Sequence, residues 1–205
     1  MTGLLILSII LLIVLITIVF VYTSPQFGGS PTKEQKLAYA QTGHYENGRF
    51  VNQIPSPMDV GIKDIPSLLY KQIKGDPNKQ PNIKFDVLKI DSLDIEQKPD
   101  SITRLTWFGH SAFLLEIGGK KILIDPMFGD VPAPHPWLGR SRYSNGLPIE
   151  IEKLPQIDAV IMSHDHYDHL DYGSIMRLKE KTKEFYMPLG VGAHFRKWGV
   201  QDERI

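Results

Sequence analysis

Cysteine is absent from the 205 residues, which excludes a disulfide scaffold, iron–sulfur and zinc-ribbon sites, and a thiol nucleophile. An excess of one charge is also missing, since 23 Lys+Arg balance 23 Asp+Glu. Nothing in the bulk electrostatics draws a polyanion, and nucleic acid is not an expected partner. No charged side chain precedes Lys33, so the chain lacks the basic n-region of a secretory signal, and no A-x-A cleavage site comes after its apolar stretch. With 22% charged and 10% aromatic residues, the composition is that of an ordinary globular protein, one domain with attachments.

The apolar residues that are present are spread unevenly. Leu4 to Tyr22 is a 19-residue run in which all but Ser8, Thr17 and Tyr22 are Leu, Ile, Val or Phe. As a helix it reaches roughly 28 Å, the hydrocarbon thickness of a bilayer, and insertion is favoured by very roughly 5 to 10 kcal/mol. Residues 1–22 are therefore expected to form an uncleaved single-pass anchor, with the lipid bilayer as partner and the membrane as location. The nearest basic residues, Lys33 and Lys36, lie on its C-terminal side. The positive-inside rule would put the rest of the chain in the cytosol, a signal-anchor reading would put it outside, and sidedness stays open.

Residues 23–101 read as a linker and N-terminal extension. Thr23 to Thr32 is a Ser/Pro/Gly stretch expected to be flexible enough to hold a domain off the membrane. Ile65, Leu68, Leu69 and Ile73 have helical spacing, with Asp64 as N-cap, Pro66 in the first turn and Gly75 as stop. Asp76 to Ser101, rich in Asp, Asn, Lys and Pro, reads as irregular. The pattern changes at Ile102. Thr103–Phe108, Ala112–Ile117 and Lys120–Ile124 are strand-like, the last two joined by Gly118-Gly119, a hairpin signal. Asp125-Pro126 ends the third strand, and a Pro-, Gly- and aromatic-bearing loop runs from Met127 to Pro148, the kind of loop that carries function. Ile157–Met162 reads as a buried strand, and Leu170, Ile175 and Leu178 as the core stripe of a helix.

That fourth strand leads into Ser163-His164-Asp165-His166-Tyr167-Asp168-His169-Leu170-Asp171. With 7 His and 14 Asp in the chain, the pattern HxHxDH arises by chance in roughly 5 of 10,000 such sequences. Imidazole nitrogens and carboxylate oxygens suit zinc, manganese or iron, and without cysteine they are the strong ligands available. A tight loop after a buried strand lets His164 and His166 face one metal while Asp168 and His169 turn toward a second.

The runs WFGHSAFLLEIGGKKILIDPMF and IDAVIMSHDHYDHLD resemble the metallo-β-lactamase superfamily, and within it the branch containing N-acylphosphatidylethanolamine phospholipase D and its bacterial relatives. The resemblance extends from about Gly43 through Trp198. It implies an α/β fold, the αββα sandwich, with one or two zinc ions and hydrolysis by a metal-activated water. Carried over, His164 and His166 would bind the first metal, Asp168 and His169 the second, Asp168 would also serve the reaction, and Asp125 would support the metal loop through hydrogen bonds. His110, His135, Arg140 and Arg142 are candidates for substrate contact, the two arginines because guanidinium matches phosphate oxygens. His44 and His194 are expected to be surface or partly packed.

The family's further ligands lie well downstream, whereas 36 residues come after His169. Residues 102–205 are about half of what two sheets with outer helices need, and Ile205 after a charged turn looks like the start of a strand. The expectation is thus the N-terminal half of a sandwich, inactive alone. The function expected of an intact member is phospholipase D-type cleavage of N-acylphosphatidylethanolamine-like membrane lipids. A lactonase or other hydrolase of the same fold, and a non-enzymatic fragment, are the alternatives.

Overall fold

The computed structural model describes residues 2–54, 61–75 and 80–205. Residues 55–60 of the extension and residues 76–79, the start of the expected irregular stretch, lie outside the described residues. The chain divides into two compact units, Pro31–Asp86 and Met1–Ser30 with Val87–Ile205. The first helix, α1 (Thr2–Thr23), belongs to the larger one.

In the smaller unit, helix α2 (Lys33–Ala40) starts on a reciprocal cap between Thr32 and Gln35. Strands β1 (Tyr45–Glu46) and β2 (Arg49–Phe50) form a hairpin whose Asn47 and Gly48 both take positive φ, as the twist of a two-residue turn requires. Tyr39, Tyr45 and Phe50 meet ring to ring. The expected amphipathic helix is α3 (Ile65–Lys74), with proline in its first turn and Gly75 at φ 68° after its last. Asp64 does not cap it forward. Its carboxylate instead accepts the Gly61 N–H, because Asp64 is itself in helical geometry.

In the larger unit, α1 has no buried residue and is long and apolar enough to cross a membrane by length and composition. Its Ser8, Thr17 and Thr23 hydroxyls donate to the Leu4, Ile13 and Val19 carbonyls one turn back, so these polar atoms are satisfied within the helix. The segment after it departs from the flexible-linker expectation. Pro25–Phe27 is a tight turn, Ser24 is buried, and three bonds tie the segment to a later helix, Gly192–Lys197, and the residue after it. Trp198 Nε1 donates to Pro25 O at 2.9 Å, Lys197 Nζ to Gly28 O at 2.7 Å, and Gly29 N to His194 Nδ1 at 3.1 Å. A Cβ on Gly28, which has φ +67°, would stand 1.8 Å from His194 Nδ1. The glycines that suggest slack in the sequence are what allow this close approach.

Helix α4 (Ser92–Glu96) also corrects the irregular reading of its stretch. Asp91 caps Leu93 N, Asp94 reaches back to Asp91 N, and Ile95 is buried in the core. A capping box built from two aspartates is a weak sequence signal. Strands β3 (Arg104–Gly109), β4 (Ala112–Ile117), β5 (Lys120–Ile124), β6 (Ile157–Ile161) and β7 (Thr182–Tyr186) form one sheet in that order. The β3–β4 and β4–β5 pairs are antiparallel, and β5–β6 and β6–β7 are parallel. Strand β7 was not expected, because TKEFY carries charge at two of its five positions and buries only Thr182 and Phe185, as suits an edge strand. Asp202–Arg204 is the charged turn expected before Ile205.

One face of the sheet, with Leu114, Leu123, Val160 and Phe185, packs under α5 (Tyr172–Leu178) and α6 (Gly192–Lys197) into a single core. The other carries exposed Leu105, Trp107, Ile161 and Tyr186. Among the described residues, the larger unit thus holds one sheet with helices on one face, consistent with one layer pair of the expected sandwich. Arg177 of α5 grips Glu152 with two 2.6 Å bonds and holds its carboxyl down to about 2. The pair's contribution is full above the ordinary carboxyl range and fades as pH falls toward that value, and solvent exposure keeps it small.

The buried carboxylate of Glu116, on β4, is met by Arg104 across the β3–β4 pair at 2.5 and 3.0 Å. Arg104→Met strands that charge and should cost roughly 3 kcal/mol, while adding Glu116→Leu should recover most of the loss. Denaturant unfolding in detergent reads both. A single variant as stable as the parent would show that the pair is not needed.

Candidate metal centre

The centre is built where β5 and β6 end side by side. Strand β5 stops at Asp125, whose φ of 41° turns its carboxylate out of the ladder, and the following proline has no N–H with which to continue pairing. Strand β6 ends one residue before Met162, whose N–H is still held by Tyr186 O at 2.8 Å. The chain then curls, with His169 N and Leu170 N both donating to His166 O at 2.9 and 2.7 Å. Asp171 closes the loop by capping α5. It accepts from Ser174 N and Oγ, and Ser174 Oγ accepts from Phe128 N. The acidic residue ending the motif is therefore a helix cap that also ties down the loop after β5.

Asp125 is 3% exposed and has its acceptors filled. Ser163 N reaches Oδ1 at 2.7 Å, Ser163 Oγ reaches Oδ2 at 2.6 Å, and His169 Nδ1 lies 2.8 Å from Oδ2. Ser111 Oγ and Ser163 Oγ lie 3.0 and 3.2 Å from the same His169 nitrogen. A proton on Nδ1, donated to Asp125, leaves the Nε2 lone pair pointing out of this nest. That is how a carboxylate sets the tautomer of a metal-binding imidazole.

His169 Nε2 is 3.8 Å from Asp168 Oδ2, and His110 Nε2 is 3.0 Å from the same oxygen. One ligand atom from each of His110, Asp168 and His169 lies within 4.8 Å of the others. The His164 ring lies tilted against His169 with centres 3.9 Å apart, and His166 meets His164 edge-on at 4.6 Å. His164 Nδ1 is taken by Ser163 Oγ at 2.9 Å, so Nε2 remains its ligand atom. Four imidazoles and one carboxylate on two short loops, with their other nitrogens partly committed to hydrogen bonds, fit a zinc, manganese or iron ion by donor type.

The structure thus gathers His164, His166, Asp168 and His169, places Asp125 beneath them, and adds His110 as a donor rather than a distant wall. His110 gets there because the register of β3 slips between Trp107 and Gly109 and its own φ is 46°, a bulge and turn that re-aim the side chain. The remaining candidates stand elsewhere. His135 stacks with Trp137 and meets the Phe20 and Phe27 rings at a tilt. Arg140 is exposed on the loop. Arg142 does not present a free fork to a phosphate, because Nη2 bonds to the Phe128 and Gly129 carbonyls at 2.9 and 2.5 Å. Burial pulls the Arg142 guanidinium below its usual pKa, against the raising effect of Asp130, Asp171 and Glu150. It organises the loop after β5.

A cavity of about 440 Å³ opens beside the metal loop, and Asp165, His166 and Asp168 line it together with Gln26, Phe27 and His194. Sequence reasoning missed Gln26 and Phe27, which carry no motif and come near the loop through the bonds of their segment to α6 and Trp198 and through the edge contact of Phe27 with Tyr167. His194, expected to be partly packed, accepts from Gly29 and sits 3.5 Å from Asp165. Tyr167, also in the wall, has its phenol pushed above the ordinary value by burial and then by Asp165, so it stays a neutral donor.

Asp125→Asn removes the charge that orients His169 and should weaken zinc binding about 10- to 100-fold. His164→Ala with His166→Ala should remove most of it. Equilibrium dialysis reads both, and uptake equal to the parent in either variant would contradict the assignment.

The family described as the β-lactamase superfamily domain matches residues 120–205. An uncharacterized protein of Mycobacterium tuberculosis is 33% identical over 184 residues, 89% of this chain and 48% of the relative. N-acyl-phosphatidylethanolamine-hydrolyzing phospholipase D 1 of Caenorhabditis elegans is 33% identical over 97 residues, 46% of this chain and 27% of the relative. A protein of Anaeromyxobacter named a metal-dependent hydrolase is 37% identical over 81 residues, 39% and 24% of the two. Among solved structures, an isothiocyanate hydrolase from Delia radicum gut bacteria has 31% identity over 47% of this chain and 39% of that chain, with a TM-score of 0.37. The chain spans about half the length of the mycobacterial relative, 48%. Residues 120–205, which hold both Asp125 and the HxHxDH loop, are thus similar to the β-lactamase superfamily domain.

Proposed function

We propose that this chain carries the metal site of a hydrolase that cleaves a phosphodiester in a membrane lipid, with α1 as its single-pass anchor. The observation that carries the reading is the shared cavity. Its lining includes both the metal loop and Gln26 and Phe27, which come just after the helix that is apolar enough to span a bilayer. A substrate that stays in the membrane would meet the site at the point where the chain leaves it. The similarity to a phospholipase D acting on N-acyl-phosphatidylethanolamine supports the same substrate class.

His164, His166, Asp168, His169 and His110 would hold one or two ions, zinc by donor type. When bound, the metal supplies Lewis acidity and brings the pKa of a water toward about 7. The chain's own residues do the positioning. Asp125 and Ser163 fix the His169 ring, and Asp168, 3.0 Å from His110 Nε2, holds a carboxylate where a proton from the attacking water can be accepted. Phe27 offers an apolar wall for an acyl chain. The Gln26 Oε1 acceptor is buried and has no partner among the described residues, which suits an amide or hydroxyl donor of the lipid. Cleavage of phospholipase D type would release phosphatidic acid and the head-group alcohol.

The protein should stay with membranes through alkaline carbonate washing. A zinc-loaded intact protein that carries this chain's site should release phosphatidic acid from N-acylphosphatidylethanolamine vesicles, and Asp168→Asn in it should reduce turnover at least ~100-fold with little change in vesicle binding. Turnover of a soluble lactone panel alone by that intact protein would move the assignment to a lactonase, and turnover of neither would refute the hydrolase reading.

A further inference from the structure

Helix α1 is exposed at every described position before Phe20, and Phe20 is half-buried. What covers it is the loop after β5. The Phe20 ring lies 4.8 Å from His135 and 6.1 Å from Trp137, centre to centre, and Phe27 completes the cluster at 5.7 Å. Yet Trp137 and Leu138, next to that contact, are 71% and 49% exposed. From Val131 to Gly139 the loop carries no charged side chain.

We infer that the loop tip at Trp137 and Leu138 is a second membrane contact, inserted at interfacial depth into the leaflet from which α1 emerges. The inference rests on the reading of α1 as an anchor and adds a partner surface to it. Depth is fixed by the helix. Phe20 precedes the end of α1 at Thr23 by three residues, about 4.5 Å along the axis, so it stands at the border of hydrocarbon and head groups when the apolar run fills the core. Side chains in contact with it share that depth. Trp is the side chain that favours this border, with an apolar body and one N–H for the wet side.

The loop backbone suits the same place. Pro132, Pro134 and Pro136 have no N–H to leave unsatisfied near lipid, while Leu138 N and Ala133 N are used internally on the His135 and Val131 carbonyls at 2.9 Å. The neck is tight, since a Cβ on Gly139 would stand 2.7 Å from Val131 Cγ1. Arg140, exposed just past that neck, falls at the level of lipid phosphates. Pro132 at the other end lines the cavity, so the tip and the cavity mouth lie on one short loop.

The absence of native cysteine makes the test direct. Nitroxide labels are placed on Leu138→Cys, on Trp137→Cys as a second variant, on Leu11→Cys within α1, and on exposed Glu180→Cys, in the full chain in phosphatidylethanolamine/phosphatidylglycerol vesicles. Power saturation compares collision with oxygen, which concentrates in lipid, against a water-soluble nickel chelate. The expected result is nickel collision at 137 and 138 several-fold below that at 180, with oxygen collision between the values at 180 and 11. Labels at 137 and 138 behaving like 180 while 11 is shielded would overturn the inference and leave the anchor standing. Nickel access at 11 would remove the anchor, and the inference with it.

Discussion

A single buried carboxylate holds the site together. Asp125 ends β5, accepts two bonds from Ser163 at the end of β6, and lies 2.8 Å from His169 Nδ1. Two parallel strands are thereby joined at their ends, and the loop between β6 and α5 has one geometry in which both the backbone of Ser163 and the ring of His169 are satisfied. A buried carboxylate with fewer partners would carry a desolvation cost of several kcal/mol. The fold therefore favours the arrangement that also leaves His169 Nε2 free for a ligand. The left-handed backbone at Asp125 and His110 is confined to the two turns that aim side chains at this point, where local strain is commonly found.

Around that contact the remaining elements act as supports. The β3–β4 turn delivers His110 and Ser111, α5 is capped by the residue that ends the metal motif, and Arg142 gathers the carbonyls of the loop after β5. Helix α6 does two tasks. Its apolar side, through Phe195, seals the core against Phe185, and His194 and Lys197, with adjoining Trp198, bind the residues after α1. The N-terminal helix thus belongs to the same compact unit as the metal loop, with a defined attachment in place of a slack tether.

The sequence makes much of this legible, and the limits are physical. Strand-like runs and the Gly118-Gly119 turn mark β3 to β5, and a continuous apolar run marks β6, because these segments bury side chains against the core. Residues HxHxDH declare themselves because four ligand-type side chains fall within six neighbouring positions. Asp125 is visible only by resemblance, since its role depends on a partner 38 residues away. The bonds from α6 to Pro25, Gly28 and Gly29 span 165 to 173 residues and leave no local pattern, so a Pro/Gly/Ser stretch read as flexible is in fact pinned. His110 and Arg142 show the same limit in opposite directions. One gains a place among the donors through a bulge, and the other loses a phosphate-binding fork to carbonyls that no spacing reveals.

The central claim, that Asp125 sets His169 to present Nε2 to a metal, is tested most directly by long-range ¹H–¹⁵N correlation spectra of the histidine side chains during zinc titration. The account predicts that His169 Nδ1 is protonated before zinc is added and stays so, while Nε2 moves to the shift of a metal-bound nitrogen. Zinc binding through His169 Nδ1, or a His169 ring untouched by saturating zinc, would contradict it.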